Sequence, residues 1–135
     1  MQENQLCKVF DFAAEWLDRP ERWIKGDSMV DAEGNSMVDA EGNPAYRPEA
    51  VCRVCLLGSL DLAVLTLYGD DDAVYSKNLF LLDRACELMD LTVAEQTGVF
   101  SSTPAFNDAP DTTFEMARSM LLKARERACS PKVGE

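Results

Sequence analysis

Histidine is absent from this 135-residue chain. That removes Ser-His and Cys-His nucleophile pairs and every histidine metal ligand. Basic residues are scarce: 13 Lys and Arg face 24 Asp and Glu, for a formal net charge of -11. A protein that grips nucleic-acid phosphates needs clustered Lys and Arg, so direct nucleic-acid binding is not expected. No basic-then-apolar leader precedes Lys8, which excludes a signal peptide as the reading of this N-terminus. The longest apolar stretch, Val51 to Tyr68, contains Arg53 and Asp61, both costly at a bilayer centre, so no membrane association is expected. The five cysteines, Cys7, Cys52, Cys55, Cys86 and Cys129, form an odd and scattered set unlike a secreted disulfide framework. Together these absences predict a reduced, soluble, cytoplasmic protein without cofactor or metal.

Apolar residues make up 47% of the chain and charged residues 27%, which is globular composition and not that of a disordered tail. The length suits one domain over residues 1–135, with an ordered core at about 5–128 and a loose tail at 131–135.

Apolar spacing predicts a small, mainly α bundle. Leu6, Val9, Phe10, Ala13, Trp16 and Leu17 recur at three- and four-residue steps, one face of an amphipathic helix that Pro20 ends. One further turn is expected over Glu21 to Lys25. Val51 to Tyr68 is apolar nearly all round and is expected to be the central buried helix. Negative charge at Asp70, Asp71 and Asp72 suits the start of the next helix, which runs through Met89. Leu91 to Pro110 reads as a long connection. Thr112 and Glu115 form a capping box for the last helix, with Phe114, Ala117, Met120, Leu121, Ala124 and Ala128 as its apolar stripe.

An octapeptide, Ser28 to Asn35, is repeated at once as Ser36 to Asn43. Each copy ends in Glu-Gly-Asn, a turn signal. A β-hairpin or loop insertion over 28–46, lengthened by tandem duplication, is the expected form, because extending a surface loop costs little entropy. Calcium binding is disfavoured, since the glycine falls at the wrong position for an EF-hand loop.

Several residues could carry chemistry. Cys52 and Cys55 have Cys-x-x-Cys spacing, but a preceding strand is not expected and no second ligand pair follows, so core packing is favoured over redox or zinc roles. Arg53 and Asp61 fall on nearly one face of the expected helix and should be structurally paired. Asn107 and Asp108 should fix the loop before the last helix, as turn residues do. Charge is uneven: residues 1 to 111 hold 8 basic and 21 acidic side chains, and residues 112 to 135 hold 5 and 3. An acidic body of this kind attracts basic protein patches, and Asp70, Asp71 and Asp72 are the candidate interaction surface.

Trp23-Ile24-Lys25-Gly26, the hairpin residues Asp39, Gly42 and Pro44, Cys55-Leu56-Leu57-Gly58-Ser59-Leu60 and Phe106-Asn107-Asp108-Ala109-Pro110 follow one another in order. This set resembles a family of small bacterial and phage proteins of unknown function. Its members share a Trp-Cys-Leu-x-Gly-Ala-Leu helix and a Trp-Asn-Asp segment before the last helix. Val54, Ser59 and Phe106 stand where that family has Trp, Ala and Trp, and the duplicated loop is an insertion. The resemblance implies a helical fold and phage or bacterial origin, without an assigned activity, and it suggests that Cys55, Asn107 and Asp108 lie near one another.

The favoured reading is a phage or prophage accessory protein: a non-enzymatic acidic module that binds a host or phage protein, as an inhibitor or nucleic-acid mimic. One alternative is a small enzyme or ligand-binding protein with a pocket of Cys55, Asp61, Asn107 and Asp108. A second is a homo-oligomeric structural protein using Trp16, Trp23 or Phe100.

Overall fold

The computed structural model describes residues 2–27, 29–37, 50–68 and 72–130. They form a mainly α-helical fold with a small two-stranded antiparallel sheet. Helix α1 spans Gln2–Trp16 and buries Leu6, Val9, Phe10, Ala13 and Ala14, with Leu17 just beyond its end. The apolar spacing read from sequence is therefore the buried face. A single 3-10 turn at Pro20–Arg22 replaces the further turn expected through Lys25. Proline suits its first position, where no N–H is needed.

The last helix, α5, spans Phe114–Cys129 and buries Ala117, Met120, Leu121, Ala124 and Ala128. It runs antiparallel to α1. Arg118 on α5 reaches Leu17, Arg125 reaches Asp11, and Cys129 reaches Cys7, so partner numbers fall along α1 as they rise along α5. Arg118 donates from Nε to the Leu17 carbonyl at 2.9 Å and from Nη2 to that of Ala14 at 3.2 Å. Arg22 donates to the Trp16 carbonyl at 3.0 Å. Helix α1 has no basic residue in its own last turn, so two guanidinium groups from elsewhere in the chain satisfy its terminal carbonyls and oppose its dipole.

The same register joins Cys7 to Cys129 in a disulfide across 122 residues, with their Cα atoms 4.6 Å apart. This corrects the expectation of a fully reduced set. Spacing along the chain gave no sign of the pair, because only antiparallel packing of the first and last helices brings it together. Cys52, Cys55 and Cys86 are free thiols.

Helix α2 spans Leu56–Tyr68 and buries Leu56, Leu60, Leu62, Ala63, Val64 and Leu65. It is the central helix, but it starts at Leu56 and not at Val51. Met29–Val30 forms strand β1 and Arg53–Val54 strand β2, paired antiparallel with Met29 opposite Val54 and Val30 opposite Arg53. Trp23 bridges Val54 from the other side, and the Ile24 N–H donates to the Val54 carbonyl at 3.0 Å. With backbone partners on both edges, the β-branched segment before Leu56 gains more from extended structure than from another helical turn. Arg53 consequently leaves the helix face it was expected to share with Asp61 and extends toward the Gly34 turn.

The hairpin expectation holds for the first octapeptide. Asp31 accepts backbone N–H bonds from Glu33 and Asn35 at its Oδ1. Gly34 adopts a φ of +86°, which glycine takes without strain, and Val30 bridges Ser36 to close the turn. The Asp31 carboxylate thus organises a turn, the role of an Asx residue. Most of the second copy, with Asp39, Gly42 and Pro44, lies outside the described residues.

Helix α3 spans Asp72–Thr97, so it continues past Met89 and consumes much of the connection expected from Leu91. Burial decides this: Thr92 and Val93 are wholly enclosed. Gly98, at a φ of +71°, ends the helix. A short helix, α4, follows over Thr103–Asn107, with Ser102 accepting the Ala105 N–H as its N-cap. Thr113, not Thr112, caps α5, accepting the Met116 N–H. Thr112 is buried and donates its hydroxyl to the Phe106 carbonyl at 2.7 Å. An Arg127–Glu95 ion pair ties α5 to α3. No helix among the described residues is long and apolar enough to cross a membrane.

Candidate functional site

Asn107 closes helix α4 and is 1% exposed. A buried amide needs partners for its oxygen and for both N–H groups, and this one has them all. Its Oδ1 accepts the Trp23 indole N–H at 2.7 Å and the Leu56 backbone N–H at 3.2 Å. Its Nδ2 donates to the Ile24 carbonyl at 3.1 Å and to Asp108 Oδ1 at 2.9 Å. The Leu56 N–H belongs to the first turn of α2, one of the donors that no intrahelical carbonyl can reach. Asp108 Oδ1 also accepts the Gly26 N–H at 2.9 Å, and Lys25 donates its ammonium to the Ala109 carbonyl at 2.7 Å. Lys25 lies over the Trp23 ring, 5.7 Å from its centroid, and that ring is tilted against Phe114.

Three segments far apart in the chain, Trp23 to Gly26, Cys55 to Leu60 and Phe106 to Pro110, therefore meet around one amide. They are three of the four segments whose order carried the family resemblance; the fourth, at Asp39, Gly42 and Pro44, lies outside the described residues. The loop-fixing role expected of Asn107 and Asp108 is visible in these bonds, and their partners explain why the residues before α2 are held extended beside Trp23.

Cys55 sits at the N-cap position of α2, where its sulfur accepts the Gly58 N–H at 3.3 Å. Its place directly after β2 supplies the strand-then-helix arrangement that the sequence did not suggest for the Cys-x-x-Cys pair. The thiol is nevertheless not primed. Burial pushes its pKa above the usual value, the backbone N–H groups of Gly58 and Leu57 pull it back in part, and the Asp108 carboxylate raises it. Reactive cysteines need the opposite surroundings. Cys52, by contrast, is exposed and precedes the strand.

Asp61 is half-buried farther along α2. The structure adds two residues that sequence reasoning missed: Cys86 and Asp90 on α3. Burial, followed by the charges of Asp61, Asp90 and Asp83 and by Cys55, pushes the Cys86 thiol up to about 12. Asp90 accepts both the backbone N–H and the hydroxyl of buried Thr103, at 2.7 and 2.6 Å, and so fixes the start of α4. The polar positions 83, 86 and 90 at helical spacing were the available signal.

The charges of Asp61, Asp83 and Asp90 act on the Cys86 thiol and that of Asp108 on the Cys55 thiol, and both thiols are shifted toward the neutral form. The two larger clefts among those described are lined by other residues. One of about 650 Å³ lies beside Leu88, Glu126, Arg127 and Ser130, and one of about 400 Å³ lies beside Thr97, Phe106, Met116 and Met120. Asp70 and Asp71 lie outside the described residues, as does the side chain of Asp72. Trp16, Trp23 and Phe100, the interface candidates, are half-buried and pack against the core.

No curated protein and no solved structure matches the chain significantly. The model of a family of unknown function, DUF6197, matches residues 1–127, and the chain belongs to that family.

Proposed function

We propose that this protein is a non-enzymatic interaction module whose acidic side, around Asp61, Asp83, Asp90 and Asp108, binds a basic patch on another protein. The observation that carries this reading is the charge imbalance of residues 1 to 111, which hold 8 basic and 21 acidic side chains. A potential of one sign over a surface speeds and selects encounters with the opposite sign. The formal charge of -11 acts in the same sense. The alternative, a pocket enzyme using Cys55, Asp61, Asn107 and Asp108, is disfavoured because the Asn107 amide is committed internally and the thiols are held neutral. The resemblance to small bacterial and phage proteins supports a bacterial cytoplasm as the setting, with the protein phage or prophage encoded and acting on a host or phage protein.

The test is affinity capture from extracts of the bacterium that encodes it, at low and at moderate salt. It is run with the natural chain and with Asp61→Asn/Asp83→Asn. A basic protein retained at low salt, released at moderate salt and lost in the variant is the expected result. Capture of no partner, or capture indifferent to both salt and charge removal, rejects the reading.

A further inference from the structure

Cys7, Asp11 and Cys129 form a cluster whose three ligand atoms all lie within 4.8 Å of one another. Cys7 and Asp11 are four residues apart on α1 and so share a face, while Cys129 arrives from the end of α5. Asp11 Oδ2 is 3.8 Å from the Cys7 sulfur. The other oxygen, Oδ1, lies 3.7 Å from the Arg125 guanidinium. Asp11 and Cys129 are exposed and Cys7 is half-buried, which leaves a path for an ion and room for water as a fourth ligand. Cys129 lies just beyond the residues matched by the family model.

We propose that reduction of the Cys7–Cys129 disulfide opens a site for a thiophilic divalent cation of the zinc class, held by the two thiolates and the Asp11 carboxylate. Two sulfurs and one carboxylate with an open fourth position suit a tetrahedral d10 ion, and thiolate donors select against magnesium and calcium. Three negative ligands around a dication leave one excess negative charge, which Arg125 balances. The chemistry closes in two steps. A dithiol reductant supplies two electrons and two protons, becoming a disulfide as Cys7 and Cys129 become thiols. The cation then displaces those two protons as it binds. While the disulfide stands, neither sulfur can act as a thiolate and the site is shut.

The test uses the full chain, reduced with a phosphine and desalted without air, and titrated with cobalt(II) as a spectroscopic stand-in for zinc. One equivalent should produce a sulfur-to-cobalt charge-transfer band that zinc abolishes. The oxidised protein and Cys7→Ser/Cys129→Ser should show none, and Cys52→Ser/Cys86→Ser should keep it. Asp11→Asn retains both thiols and should weaken binding at least about ten-fold, as changes near a metal do. The proposal is overturned if the reduced chain gives no thiolate–cobalt band or if the band survives without Cys7 and Cys129. An unchanged affinity in Asp11→Asn overturns the three-ligand set. None of these outcomes depends on the acidic side or on a protein partner.

Discussion

Replacing Asn107 by alanine tests whether one amide holds the fold around α2. The change strips four hydrogen bonds at once. The Leu56 N–H, wholly buried, is left without a partner, which costs about 1–3 kcal/mol. The Trp23 indole and the Ile24 carbonyl are only part-buried and recover some hydration, so each loss costs about 1 kcal/mol. The bond to exposed Asp108 adds little. The total of about 3–5 kcal/mol is a large share of the roughly 5–15 kcal/mol that stabilises a typical domain. For a domain of this size, between the small and large classes, that lowers Tm by about 10–20 °C. Thermal and urea unfolding followed by circular dichroism read the loss directly, and Trp23 fluorescence reports the local change. A destabilisation below about 1 kcal/mol would refute the reasoning, because the bonds would then be replaceable by water.

Asn107→Asp refines the same experiment. The new side chain still accepts from Trp23 and Leu56, but it can donate only when protonated, and its ionised form faces Asp108 Oδ1 across the former 2.9 Å bond. Burial and the neighbouring negative charge both disfavour its ionised form, so its folded pKa is raised above the unfolded value. The folded variant therefore keeps a proton that the unfolded chain releases above about pH 4. Its deficit relative to the natural protein should grow as pH rises from 4 to 7 and shrink on acidification. A deficit that is flat with pH means that the new carboxylate reaches solvent.

Four further outcomes follow from other features of the fold. The Cys86 thiol is raised from 9.0 to about 12, so the unfolded chain loses that proton first. Stability should fall as pH climbs from 9 toward 12, and Cys86→Ala, compared by urea unfolding, should lack that part of the fall. In native labelling with a small alkylating agent, exposed Cys52 should react well before Cys55 and Cys86; equal rates would contradict the neutral-thiol geometry. Arg118→Ala removes two charge-assisted bonds to the end of α1 and should cost about 2–3 kcal/mol in unfolding experiments. Deleting either octapeptide yields the same chain, in which Pro44 follows the first turn. It forfeits the Met37 N–H bond to Met29 and the packing of Met37 on the core, so a loss of about 1–2 kcal/mol is expected. A larger loss would show that residues of the second copy pack extensively.

The elements that could be read from sequence were those with one wet face. Helices α1 and α5 alternate apolar and polar residues at helical spacing, and most of the residues so marked are buried, Trp16 and Phe114 being half-buried. Val51 to Tyr68 offered no such contrast, because a run that is apolar nearly all round has no period by which to tell strand from helix. Its first residues became β2 through partners on β1 and at Trp23, which no local pattern encodes. The end of α3 was hidden for a related reason. Leu91 to Thr97 has a weak stripe, and only tertiary burial of Thr92 and Val93 keeps it helical. Asn107 and Asp108 were recognisable as loop-fixing residues, whereas the grip of Asn107 on Trp23 and Leu56 depends on contacts across 84 and 51 residues. The Cys7–Cys129 pair is the extreme case, since its 122-residue separation carries no local signature.

The two ends of α5 serve unrelated purposes, and distance keeps them apart. Phe114, at its start, lies against Trp23 and the Asn107 network. Cys129 is its last residue, fifteen steps on and so about 22 Å away along the axis. Opening the disulfide releases a long loop of the unfolded chain, which lowers stability by about 2–4 kcal/mol through the unfolded state. No contact of Trp23 or Asn107 passes through it. Reduction should therefore lower the unfolding midpoint while the fluorescence of folded Trp23 stays unchanged, whereas Asn107→Ala should alter both. If reduction also shifts the Trp23 signal in the folded protein, the first and last helices move as one body, and the site at Cys7 and Cys129 is coupled to the clasp at Asn107.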